Sequence, residues 1–111
     1  MMQKISLEAL ARQQLRAARG AGGQRAADTV FGGHDKVLRQ TVVGMLAGTW
    51  LGERENHDEA TMYLLTGRVR LWAGEVSWEA RIGDLLIVPD ARHSLEALED
   101  SALLITIAKL A

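Results

Sequence analysis

Residues 83–97 read Gly-Asp-Leu-Leu-Ile-Val-Pro-Asp-Ala-Arg-His-Ser-Leu-Glu-Ala. The stretch joins a tight turn at Gly83, an apolar run over 85–88, a corner at Pro89 and a histidine, His93, that opens a further run over 93–98. Four aliphatic side chains bounded by glycine and proline are too few for a helix and suit a strand buried on both faces. Proline has no N–H for a ladder, so the chain turns there instead of extending the strand. A short buried strand followed by a corner is a unit of an all-β domain.

The neighbouring segments repeat this texture. Residues 59–65 and 68–72 flank Thr66-Gly67, which reads as a tight hairpin because glycine supplies positive φ. On the second of these strands Arg68, Arg70 and Trp72 share one face, and Val69 and Leu71 the other. Further strands are predicted over 29–31, 37–46, 77–81 and 102–109, punctuated by glycines at 32, 33, 48 and 74. Eight strands in regular succession fit an antiparallel jelly-roll β-barrel better than a parallel α/β sheet.

Before residue 26 the pattern is helical. Ser6 is placed to cap a helix over 7–19, with Leu7, Leu10, Ala11, Leu15 and Ala18 on one face and Gly20-Ala-Gly-Gly ending it in a left-handed cap. The division is a helical arm over 1–25 and a β-barrel domain over 26–111. The glycines leave open whether the helix packs on its own barrel or on a partner.

A chain of 111 residues with 48% hydrophobic and 24% charged residues suits one globular domain. Cysteine is absent, so disulfides and thiolate metal sites are excluded. No apolar run approaches the length that spans a bilayer, and no signal-peptide pattern opens the chain, so a cytoplasmic protein without membrane partners is expected. The net charge of −1 is unevenly spread: residues 1–25 carry five bases against Glu8, and residues 26–111 carry eight bases against thirteen acids. The arm's bases are spaced as on a solvated helix face, and an acidic barrel repels phosphate, so nucleic acid is not an expected partner. No phosphate-binding glycine loop or nucleophile elbow is present.

The spacing of Gly83, Pro89 and His93 resembles the second signature of the cupin superfamily, small RmlC-like jelly-roll barrels, with one residue fewer before the histidine. The first cupin signature runs from a glycine through His-x-His to a glutamate, then six intervening residues and a glycine. Glu59 and Gly67 are read as that glutamate and glycine, and the histidines are missing, with Arg54 where small cupins commonly carry one. The likeness covers about residues 29–109. It implies a degenerate metal-binding motif and a homodimer.

Two functions follow from the resemblance. The first is binding of a small, anionic molecule in the barrel through Arg54, Glu59, Tyr63 and His93, with no firmly bound cofactor. Here Tyr63 and Glu59 share strand parity and are expected to face the lumen with His93. The alternative is a metal-dependent enzyme (a dioxygenase, isomerase or lyase) holding iron, manganese, nickel or zinc through His57, Glu59 and His93, with His34 as a further ligand. Such a centre wants about three protein donors and an open position. Arg54 opposes it with a charge that does not titrate. Catalytic residues are not assigned.

Overall fold

Ser6 opens helix α1, Leu7–Arg19, by accepting the N–H of Ala9 at 3.2 Å. The computed structural model describes residues 2–55 and 59–109. Gly20 ends the helix with right-handed dihedrals (φ −92°), its N–H donating to the carbonyl of Ala17. The left-handed residue of this turn is instead Gln24, at φ 59°.

Nine strands follow among the described residues: β1 Arg25–Phe31, β2 Leu38–Met45, β3 Trp50–Arg54, β4 Glu59–Thr66, β5 Arg68–Ala73, β6 Val76–Arg81, β7 Leu85–Ile87, β8 His93–Ala97 and β9 Ser101–Ala108. They form a five-stranded sheet in the order β1-β2-β9-β4-β7 and a four-stranded sheet in the order β3-β8-β5-β6, every pairing antiparallel. The sheets lie face to face, and among the described residues no strand ladder joins them into a closed barrel. Met45, Leu64 and Leu103 from one sheet meet Val69 and Leu95 from the other, each at 2% exposure or less. At about 2 kcal/mol per fully buried large aliphatic side chain, this contact is the main force holding the sheets together.

The period of two explains the facing. On β5, Val69 and Leu71 are buried in the core, whereas Arg70 lies on the other face, pairing with Glu79 at 2.8 Å and standing 5.7 Å from the Trp72 ring. On β2, Val43 and Met45 enter the core, while Val42 and Gly44 turn to the other side, where helix α1 lies. Gly44 is what permits that seat: a Cβ there would stand 2.6 Å from the backbone carbonyl of Gln14. The helix thus packs on its own sheet, burying Ala11, Gln14 and Ala18.

Thr66-Gly67 is not a hairpin. β4 and β5 belong to different sheets, so this corner carries the chain from one to the other. Gly67 has the positive φ expected (87°), and its bare Cα lets Asp100 and Ser101 approach; a Cβ would lie 2.3 Å from the Asp100 carbonyl and the Ser101 hydroxyl. Ser101 is fully buried, accepts the N–H of Arg68 at 3.0 Å and donates within reach of the Glu99 carbonyl at 2.8 Å.

Candidate functional site

The inner face of the five-stranded sheet changes character along its strands. Met45, Leu103 and Leu64 close one end; one step along, Val43 is followed by Thr41 beside Ile105 and Met62, and then Arg39 beside Ile107 and Ala60. On the outermost strand Thr29 pairs with Thr41, their hydroxyls 3.3 Å apart. The opposing sheet supplies Leu95 and His93 from β8, with Leu51 and Arg54 from β3. Between these walls lies an open cavity of about 710 Å³.

Arg54 reaches the cavity because of a bulge. Leu51 pairs with Leu95 and Arg54 with His93, so three steps on β3 match two on β8. A regular strand would place Leu51 and Arg54 on opposite faces; the extra residue puts both on the inner one. Gly52, inside the bulge, has open space around its Cα.

Three arginines line this cavity: Arg25, Arg39 and Arg54. Arg25 is engaged, its Nη1 donating to the carbonyl of Trp50 and so linking β1 to β3. Arg39 and Arg54 form no ion pair with a described residue, in contrast to Arg12, Arg19, Arg68, Arg70 and Arg92. Glu55 is the carboxylate that lines the cavity among the described residues, and Arg92 stands 3.6 Å from it and 3.3 Å from Glu53. Among the described residues the lining thus carries three guanidinium groups against one carboxylate, in a body that is acidic overall.

The other expected site residues are dispersed. Ala60, Met62 and Leu64 are the inward residues of β4, which sends Glu59 and Tyr63 to the opposite face; both are exposed, and neither lines the cavity. The expected meeting of Glu59 with His93 inside the fold is thereby corrected, as is the inward placement of Tyr63. His93 does line the cavity and is half-buried, its Nδ1 3.1 Å from the Ala91 carbonyl. His34 is exposed in the β1–β2 connection, away from the cavity lining. His57 lies outside the described residues. Gln40 and Thr106 bond to each other at 3.2 Å and do not line the cavity.

No family model matches the sequence, and no curated protein does. Solved structures do match the fold. A conserved protein of unknown function from Streptococcus pyogenes aligns at a TM-score of 0.72 and 21% identity, over 82% of this chain and 79% of that one. A Cupin 2 conserved barrel domain protein from Salinispora arenicola aligns at 0.71 and 18%, over 96% and 88%. An RmlC-like cupin protein from Desulfovibrio desulfuricans aligns at 0.67 and 17%, over 97% and 92%. This chain has the cupin fold.

Within that fold the misplacement of Glu59 has a simple origin. Seven residues, 60–66, separate Glu59 from Gly67, where the cupin signature has six. A one-residue offset on a strand changes the face. The position that the signature's glutamate would occupy is Ala60, which does line the cavity but offers no donor.

The metal common among cupins is therefore poorly served by the described residues. They contain no group of three His, Asp or Glu side chains able to hold an ion. His93 has Arg54 as its cross-strand partner, a fixed positive charge that repels a cation. No helix of the described residues is long and apolar enough to cross a membrane.

Proposed function

We propose that this cupin-fold chain binds a small organic anion in the cavity between its sheets, without a metal. The observation that carries the reading is the pair Arg39 and Arg54, both facing one cavity and neither joined to a described carboxylate. Each guanidinium offers a planar fork of donors suited to carboxylate or phosphate oxygens. His93 and the Thr29 and Thr41 hydroxyls add neutral donors on the same walls. Thermal unfolding in rising inorganic phosphate, at constant ionic strength, tests this. The midpoint rises for the wild type, because a ligand of the native state stabilises it, and stays level for the Arg39→Gln, Arg54→Gln double variant. An equal rise in both contradicts the reading.

The homodimer implied by the resemblance is also proposed, with a second copy covering one particular face. β6 and β7 are each one of the two outer strands of their sheets, β3 and β1 being the others. The expected burial of the 85–88 run on both faces is corrected, since an outer strand leaves Leu85 and Ile87 exposed. Around β6 and β7, Val76, Trp78, Ile82, Leu85 and Ile87 are 54% to 71% exposed, beside an apolar groove of about 420 Å³. Five such side chains offer roughly 500 Å² of apolar surface per copy, near the apolar share of the ~800 Å² that each partner buries in a stable interface. The mass of the Trp78→Ser, Ile87→Ser variant by light scattering falls from dimer to monomer on this account; an unchanged dimer refutes the choice of face.

A further inference from the structure

The cavity is not uniformly polar, and its division specifies more than charge. Of its polar lining, Arg39 and Arg54 are exposed and His93 is half-buried, which puts them at the solvent side. Deeper, the walls are Val43, Leu51, Met62, Val88, Leu95 and Ile105. These are aliphatic or thioether side chains, with no charged group among them. A hydrated inorganic ion gains nothing from such a floor, whereas a ligand with an apolar body removes both its own surface and the floor from water. The volume of about 710 Å³ is in the range of pockets that enclose whole organic molecules and is far larger than a bare oxyanion needs.

The arrangement also fixes which end of the ligand enters first. Carboxylate oxygens on the aliphatic floor would lose their water with no donor to replace it, a cost that two guanidinium forks remove at the solvent side. From this division we infer that the site takes amphiphilic organic acids, an aryl or alkyl body carrying one carboxylate, with the body inserted against Met62, Leu95 and Ile105 and the carboxylate held outward by Arg39 and Arg54. This rests on the anion-binding reading above and names its ligand class.

Calorimetric titration of the intact chain with 2-naphthoate, acetate and 2-naphthalenemethanol separates the two claims. Naphthoate binds at least tenfold more tightly than acetate and at least tenfold more tightly than the alcohol. Ala60→Phe, which fills the cavity from its wall, abolishes the advantage of naphthoate while acetate binding persists; Ile105→Thr reduces that advantage without adding bulk. If acetate matches naphthoate, the amphiphile claim falls and anion binding stands. If the alcohol matches naphthoate, the role of the arginines falls, and with it both claims. If none of the three binds, both claims fall.

Discussion

Replacing Gly44 with valine tests how the helix is held to the sheet. A Cβ built at position 44 stands 2.6 Å from the carbonyl carbon and oxygen of Gln14 and 2.8 Å from the Leu15 nitrogen. Ordinary van der Waals contact begins at 3.4 Å, so the first atom of the side chain is already about 0.8 Å too close, and the obstruction is backbone that cannot rotate away. The two γ-methyls add to the conflict. Helix α1 must lift from the face where Val42, Ala11 and Ala18 are now at 5% exposure or less. Overpacking of this kind costs about 1–3 kcal/mol. With a urea m-value of roughly 1–2 kcal/mol/M for a domain of this size, a loss of about 2 kcal/mol moves the unfolding midpoint down by roughly 1–2 M. Gly52→Ala is the control, because nothing lies within 4 Å of its added Cβ and its φ is not positive; its midpoint stays within experimental error. Should Gly44→Val unfold at the wild-type urea concentration with an unchanged m-value, the helix is not seated on β2 and this account of the packing is wrong.

Other expectations follow from particular contacts. Ser101→Ala leaves the Arg68 N–H without its acceptor at a fully buried corner, so urea unfolding loses about 1–3 kcal/mol; a loss within error would show that the hydroxyl is dispensable. The Arg70 hydrogen bond holds the Glu79 carboxyl below its ordinary pKa, with Arg68 and Arg81 adding to the effect. Because the folded pKa is the lower one, the stabilisation is present above the unfolded pKa and is lost as pH falls through the folded value. An NMR titration of Glu79 therefore shows a midpoint below that of an ordinary glutamate, and Arg70→Met moves it upward; no movement refutes the pairing. Glu59→Gln and Tyr63→Phe leave naphthoate affinity unchanged, since both residues lie outside the cavity; a tenfold loss in either would reverse the facing of β4.

The legible parts of the fold were those in which one local signal and one tertiary role coincide. The Ser6 cap and the spacing of aliphatics marked α1, and the alternation of Val69 and Leu71 with Arg68, Arg70 and Trp72 marked β5 and its facing. β3 escaped because Gly52, Glu53 and Arg54 have neither alternation nor β propensity; pairing with β8 makes them a strand. β1 begins earlier than residue 29 for the same reason, as Arg25-Ala-Ala gains its strand character from pairing with β2. Gly67 signalled a sharp turn, and the signal was sound, but local sequence does not say whether a turn closes a hairpin or changes sheets. At the site, Arg54 and His93 were visible through their place relative to the signatures. Arg39 was legible only as one of several polar residues within strands, with Gln40 and Thr106, because Leu38, Arg39, Gln40 and Thr41 mix polar and apolar residues on both faces of β2; of the three, Arg39 lines the cavity. Glu59 failed through a single step of register, the smallest error a strand allows and one that turns a side chain to the other face.

The account depends most on Arg39, Arg54 and His93 acting together on one anion. The direct measurement is an NMR titration with inorganic phosphate that follows the arginine Nε–H and histidine ring signals of the full chain. It predicts that Arg39, Arg54 and His93 shift along one saturable curve with a common Kd, while Arg70, held to Glu79 on the other face of its sheet, stays in place. Shifts shared by all the arginines and rising in proportion to phosphate, with no saturation, would contradict it.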